Sequence, residues 1–440
     1  MPTTTGKIYL GSTLVAGGES SVATTDWVRN PVWPALTAPL ATEQKIVGLY
    51  AVWPGDGVGN GGNFFAFLGR GAYTINFGDG TTTNYADNVQ ANYEYNFNNT
   101  ALDGTNCPVT LTASTNTVNR AGHGLSNGNI IQFFSILTTT GLVEGANYYV
   151  INATANTFQV AVTTNGSAVV MTNNGSASLL PYKVAIVIIT PQSGQSLTAV
   201  NFQAKHPQVG LQDYATGWLD LSISVPNVAG TNFQLGGTTV SHRYLEQVNL
   251  LSYGTLTSMA NMFNSCYSLQ SIPAFPGSVT AVTSMASMFN ACYSLKSIPA
   301  FPGSVAAVTS MSSMFVNCSS LQSIPAFPSS LAAVTSMSAM FAGCYSLQSI
   351  PALNMTGITS ATNVSSFVFI CPSLTRALIT ACRFSFSVAN CKLSAIALNE
   401  IFTNLPTVTG QIITVTGNYG INQAGYNPAL ATAKGWTVAA

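Results

Sequence analysis

Hydrophobic residues recur along the C-terminal half of the chain in two alternating rhythms. In "TSMASMFNACYSLKSIPAF", residues 283–301, Met285, Met288, Phe289 and Cys292 stand at i, i+3, i+4 and i+7. That spacing predicts one face of a helix, with Thr283 or Ser284 at its N-cap. Leu295, Ile298 and Ala300 follow in the L-x-x-L-x-L spacing of a solenoid strand, which would turn Ser297, Pro299 and Phe301 outward. Pro299 lacks the N–H that a ladder needs, so each strand should be short and interrupted there.

The same pattern returns. Four copies align without a gap, Met259–Pro276, Met285–Pro302, Met311–Pro328 and Met337–Pro351. A degenerate fifth runs through "TNVSSFVFICPSLTRALI", and "RYLEQVNLLSYGTLTSM" reads as the strand part of one more. Cys266, Cys292, Cys318, Cys344 and Cys371 fall at intervals of 26, 26, 26 and 27. A unit this short cannot bury its apolar side alone, so the copies should stack as coils of a solenoid. Met259, Met285, Met311 and Met337 then form one core ladder, and Cys266, Cys292, Cys318 and Cys344 another, reduced and buried. Phe275, Phe301 and Phe327 make a column that Leu353 ends; Tyr267, Tyr293 and Tyr345 make one that Ser319 interrupts; Gln270, Lys296, Gln322 and Gln348 make a fourth. These last three columns are the candidate binding ladders, for glycan stacking or a partner protein. The alternative is that an aromatic column fills the core, which suits Phe; Tyr, with its polar tip, suits an edge.

The N-terminal half follows the period of two. "YTINFGDGTTTNY", residues 73–85, alternates apolar and polar positions around Gly78-Asp79-Gly80. "ANYEYNF" and, much later, "YKVAIVIIT" continue as strands. Between them lie short strands with Gly and Asn turns, "LTASTNTVNRAGHGLSNGNIIQFF" and "GLVEGANYYVINATANTFQVAVTTNGSAV". The tail predicts a helix over Leu393–Leu405, a strand over Gln411–Thr416, a short helix and a last strand.

Composition narrows the setting. Only 6% of residues are charged, against roughly 25% in ordinary soluble proteins. Lys plus Arg and Asp plus Glu are 13 each, so no basic footprint for nucleic acid exists. Although 47% of residues are hydrophobic, no apolar run approaches the ~20 residues of a membrane helix. The surface must therefore be built of Ser, Thr, Asn, Gln and Gly, which suits an extracellular or particle-bound protein. The start, "MPTTTGKIYLGSTLVAGGESS", lacks the basic and apolar regions of a secretory signal; release by lysis as part of a virus particle would reconcile these observations, and so would a precursor trimmed before the given sequence.

Three resemblances refine the organisation. "MFxxCxSLxxIPAFP" resembles the BspA-like class of leucine-rich repeats, known from bacterial surface proteins and phage proteins. The "FGDGT" hairpin is similar to that of PKD-type immunoglobulin-like sandwiches, which are binding or spacer modules. "HGLSNGNIIQF" and "YYVINATANTF" are similar to a small β-barrel module known from ubiquitin-activating enzymes and phage fibres, with Asn129 where that pattern has Asp. The implied fold is mainly β with an α/β solenoid: an attachment arm (1–43), a PKD-like sandwich (44–106 plus 181–200) and an inserted small barrel (107–180). A β connector (201–243), a leucine-rich-repeat solenoid (244–380) and a C-terminal cap (381–440) complete it.

Catalytic signatures are sparse. The G-x-G-x-x-G at Gly57, Gly59 and Gly62 is followed by strand-like sequence rather than a helix. His123, His206 and His242 stand apart, Asp56, Asp79, Asp87 and Asp103 are dispersed, and Cys107, Cys382 and Cys391 have no zinc-ligand spacing. The expectation is a non-enzyme without metal or cofactor: a structural or adhesive component of a phage particle, a fibre, appendage or capsid decoration. It would contact other virion proteins, copies of itself, and a host-surface glycan or protein, with no nucleic acid and no membrane insertion. The arm is expected to supply much of the assembly contact. A cellular surface adhesin is the alternative, and an extracellular glycan hydrolase a weaker one.

Overall fold

The computed structural model describes residues 33–52, 63–96, 108–120, 127, 130–131, 133–138, 141–143, 148–163, 166–178, 183–209, 216–272, 274–328, 331–360 and 364–440. Most of the expected arm, the glycine loop at Gly57–Gly62, Asp56, Asp103, Cys107, His123 and Asn129 lie outside these residues. The chain divides into two compact units: residues 1–35, 51–56 and 96–185, and residues 36–50, 57–95 and 186–440.

The first unit carries a seven-stranded sheet. Its order is β8 (Ile130–Ile131), β10 (Tyr148–Ile151), β11 (Thr157–Ala161), β7 (Thr117–Asn119), β6 (Pro108–Thr112), β12 (Gly175–Ser178) and β9 (Phe134–Leu137). Alternate residues of these strands point inward, so Leu111, Val118, Phe133, Tyr148, Val150 and Phe158 share one buried cluster.

The second unit begins with two sheets. The larger has the order β17 (Gln247–Tyr253), β15 (Trp218–Val225), β1 (Lys45–Val52), β13 (Lys183–Pro191), β3 (Tyr73–Asn76) and β4 (Thr82–Tyr85). The smaller runs β16 (Phe233–Gln234), β14 (Ala199–Asn201), β2 (Phe64–Arg70) and β5 (Gln90–Glu94). Aromatic residues join them: Phe65 of β2 lies 5.6 Å from both Tyr50 and Trp218 of the larger sheet, edge to face. Gly48 makes room for this packing, since a Cβ there would stand 2.4 Å from the Trp218 ring. β3 and β13, far apart in sequence, pair antiparallel with Ile75 opposite Ile189. Between β3 and β4 the chain turns at Gly78, φ +76°, whose hydrogen faces the Ile186 backbone where a Cβ would clash. Tyr93 closes the turn by donating its hydroxyl to Asp79 Oδ2 at 2.5 Å and by stacking on Phe77 at 3.9 Å.

From β17 onward the chain winds into a solenoid of about eight turns. β17 pairs parallel with β15, from Asp220–Gln247 to Val225–Tyr253, and on its other side Gln247 bridges Ser271 of the first full coil. Ser258, Ser284, Ser310 and Ser336 then bridge one to the next. The far end carries β18 (Ser349–Asn354) parallel to β19 (Arg376–Thr380), then β20 (Phe386–Ser387), β21 (Gln411–Thr414) and β22 (Trp436–Ala439) in one parallel sheet. α1 (Ala395–Asn404) is capped at Ser394, whose Oγ accepts from Ala397 N, and α2 (Ala429–Thr432) is a single turn. Lys434 Nζ donates to the carbonyls of Phe402, Thr403 and Leu405, supplying partners for the open end of α1.

Two expectations for the coil are corrected. First, the stretch with Met285 and Phe289 is not a helix, so the solenoid is a β-solenoid rather than α/β. Met285, Ser287, Phe289 and Ala291 donate their N–H groups to Ser310, Ser312, Met314 and Val316 of the next coil, while Met288, Asn290 and Cys292 close turns onto residues three back. Ser287 and Ala291 have φ +54° and +60°, and the same columns hold Asn261, Ser313 and Ala339, and Ser265, Asn317 and Gly343. A left-handed residue costs about 1–2 kcal/mol, which the bonds to the neighbouring coil offset. Second, Ala300 faces solvent and Phe301 faces in, because the chain does not keep its alternation past Pro299. Pairing in that column is correspondingly thin: Lys296 N donates to Gln270 O at 3.3 Å and Gln322 N to Lys296 O at 3.0 Å.

Candidate binding face

Each coil buries the same side chains. Met285, Met288, Phe289, Cys292 and Leu295 are all fully buried, as are their equivalents one period on. The Phe rings stack in register: Phe263 to Phe289 5.4 Å, Phe289 to Phe315 5.5 Å and Phe315 to Phe341 5.6 Å, with interplanar angles of 4°, 7° and 5°. Such stacks favour one register over a slipped one.

The cysteines among the described residues stand free and buried. Four thiols donate to a carbonyl of the preceding coil: Cys292 to Phe263, Cys318 to Phe289 and Cys344 to Phe315, each at 3.1 Å, and Cys371 to Phe341 at 3.0 Å. Burial pushes the Cys266, Cys292, Cys318 and Cys344 thiols far above their ordinary range and Cys371 up to about 11. These groups are hydrogen-bonded packing elements, not nucleophiles.

The Phe275, Phe301, Phe327 column is corrected from a candidate ladder to a core one. Phe275 and Phe301 are buried, Phe327 is half-buried and Leu353 fully buried; the rings lie 5.4 and 6.1 Å apart and nearly parallel. The turn in after Pro299 places them there. The tyrosines differ. Tyr267 is half-buried, whereas Tyr293 and Tyr345 are 40% and 49% exposed, and the Tyr267 and Tyr293 rings are 5.1 Å apart. Tyr293 follows Cys292 in a turn closed by Leu295 N donating to Cys292 O. Lys296 and Gln270 are half-buried, Gln322 and Gln348 exposed, and this column begins just past the same corner. Partial burial, then the neighbouring Tyr267, raise the Tyr293 pKa.

The column continues where the period breaks. In the cap, Asn390 N donates to Thr416 O as Ala291 N does to Val316 O. A Cβ on Gly417 would stand 2.5 Å from Asn390 Oδ1, as one on Gly343 would stand 2.6 Å from Asn317 Oδ1. Asn418 occupies the cysteine slot and donates Nδ2 to Val388 O at 2.7 Å, the bond a thiol makes elsewhere. Pro372, Lys392 and Tyr419 therefore succeed Tyr345 in the tyrosine position, and Tyr419 is 66% exposed. The signal was present in the sequence: Gly-Cys-Tyr at 343–345 reappears as Gly-Asn-Tyr at 417–419.

The histidines sit elsewhere. His206 packs its ring 4.9 Å from Phe64, and burial, opposed by Glu94, lowers its pKa. His242 is fully buried, with Nε2 2.7 Å from Leu235 O and Nδ1 2.7 Å from Thr216 Oγ1. The Thr216 hydroxyl is buried together with the His242 ring, so the pair lies inside the packing rather than on an open surface. Among the described residues no helix is long and apolar enough to cross a membrane.

A family model described as "Mycoplasma protein of unknown function, DUF285" matches residues 240–366. No curated protein and no solved structure matches the chain. The match begins just before β17 and ends in the fifth coil, so what this chain shares with that family is the repeat itself.

Proposed function

We propose that the chain is an adhesive, surface-displayed module that makes weak, multivalent contact with a repetitive polymer, the solenoid being its reading face. The observation that carries this is the partly exposed column of Tyr267, Tyr293 and Tyr345, which places a tyrosine at the same point in three of four successive coils, Ser319 standing in the other. A ladder of like groups gains avidity from repetition without any single strong contact, and tyrosine offers a stacking face with a polar tip. The two-sheet module, read as a PKD-like sandwich, and the seven-stranded module, read as a small barrel inserted in it, serve as mount and spacer. The virion of a phage, as fibre, appendage or capsid decoration, is the setting that the composition favours. A cellular surface adhesin is the second reading, favoured by the match to a family described from Mycoplasma.

The test replaces Tyr267, Tyr293 and Tyr345 together with Ala. Binding to host cells or to their isolated surface polysaccharide should fall at least tenfold, about 1.4 kcal/mol, with the circular-dichroism spectrum unchanged. Full retention of binding would remove the column from recognition. Mass spectrometry of intact particles separates the two settings.

A further inference from the structure

Beyond the array, the extended column runs into a groove in the cap. Pro372, Lys392 and Tyr419, three successive positions of the column, line it together with Asn390 and Asn422. It is a shallow depression of about 550 Å³, open to solvent along most of its surface. Among the described residues that line it, Lys392 is the only charged one and none is Asp or Glu. Tyr419 is 66% exposed, although most large aromatic residues of the cap are packed away. An exposed ring, amide side chains and one ammonium make a particular chemical combination. The ring offers a stacking face to the C–H side of a sugar. The amides offer both donors and acceptors to hydroxyl groups. The ammonium is a point charge that balances one negative charge, whereas a phosphate dianion calls for a cluster of cations or an arginine fork.

We propose that this groove is a binding site for a carboxylate-bearing sugar unit, a uronic acid residue of a surface polysaccharide, with Tyr419 stacking on the ring and Lys392 meeting the carboxylate. The site does not depend on the tyrosines of the array. If both sites are used, one polymer chain would run along the column and end in the groove, so the cap would select acidic polymers among those the array holds.

The experiment uses the full-length chain, with digalacturonate and its neutral methyl ester as probes, followed by NMR line-shape titration. Wild type should bind the acid about tenfold more tightly than the ester and lose that preference as salt rises. Tyr419→Ala should weaken digalacturonate binding at least tenfold, while Tyr419→Phe keeps it. Lys392→Gln should bring acid and ester to equal affinity. The triple Tyr→Ala variant of the array should bind digalacturonate as wild type does, which separates failure here from failure of the array reading. The proposal is overturned if digalacturonate does not bind at about 10 mM, if wild type binds acid and ester alike, or if Tyr419→Ala binds as well as wild type. Because the Tyr419 side chain lies mostly in solvent, its loss leaves the fold intact, and circular dichroism checks this.

Discussion

His242 gives the sharpest quantitative test of the packing between the two-sheet module and the first coil. Its ring is fully buried, donates Nε2–H to Leu235 O and accepts at Nδ1 from the Thr216 hydroxyl, both at 2.7 Å. Its backbone N–H reaches into the array, donating to Ser265 O. A second proton would have to enter at Nδ1, reversing the Thr216 hydrogen bond and placing a charge in a dry interior. Burial accordingly lowers its pKa from 6.5 to about 4, against a smaller upward pull from the Leu235 carbonyl. The unfolded chain takes up this proton near pH 6.5 and the folded chain only near pH 4. The neutral imidazole therefore contributes its full stability above about pH 6.5, and that contribution is lost as pH falls through the folded value. The difference is worth about 3 kcal/mol, a large share of the roughly 5–15 kcal/mol that holds a domain together. The assay is urea unfolding of wild type and His242→Gln from about pH 7.5 to about pH 4, with the two curves subtracted so that carboxylate and His206 effects common to both cancel. Wild type should lose about 3 kcal/mol relative to the variant across that interval. A flat difference, or the assigned His242 imidazole C–H resonance of the folded protein titrating near pH 6.5, would refute the reasoning.

Phe315→Ala removes a ring held between Phe289 and Phe341 at 5.5 and 5.6 Å; it should cost about 3–5 kcal/mol and be felt chiefly by the adjacent coils, because a solenoid couples only neighbours. Hydrogen exchange resolved by coil checks this, and uniform deprotection of the array would contradict it. Cys266, Cys292, Cys318 and Cys344 should resist iodoacetamide at about pH 8 until the chain is unfolded, since burial holds the thiolate out of reach; peptide mapping that finds them labelled in the native protein would contradict the buried ladder.

How much of this was legible depended on what each pattern constrains. The period of the cysteines, Cys266 to Cys344, specified stacking because no other arrangement buries the same small slot once per coil. It did not specify local backbone. Met285, Met288, Phe289 and Cys292 share a face equally well on a helix or on consecutive turns. What decided between them lay at intervening positions, where Asn261, Ser265, Asn317 and Gly343 include the types that tolerate positive φ. A helix would also satisfy its N–H groups within the segment, whereas here every second one goes to the neighbour, a choice visible only once the coils are stacked. Tyr419 escaped notice because the spacing from Cys344 through Cys371 and Cys391 to Asn418 runs 27, 20, 27 and the cysteine is replaced. The thiol's role passes to an amide that makes the same bond, and hydrogen-bond geometry recognises that equivalence where residue identity does not.

A solenoid of parallel coils leaves two open ends, and an open end offers unpaired backbone groups to any other chain. Here the ends are closed by different means. At the start, β17 is at once the first strand of the array and the edge strand of the six-stranded sheet, paired with β15 over six residue pairs. The two-sheet module is therefore the N-terminal cap, which is why the sequence shows no separate capping coil before Gln247. At the other end α1, α2 and the sheet of β20, β21 and β22 take over, with Trp436 Nε1 bonded to Pro406 O and Lys434 closing α1. This construction bears on the adhesion proposed above. A reading face joined to its mount by a hinge would lose orientation between successive contacts, and with it much of the avidity that repetition confers. A shared β-ladder keeps the tyrosine column in fixed register with the sheet behind it, so that the weak contacts proposed for Tyr267, Tyr293 and Tyr345 would be presented together.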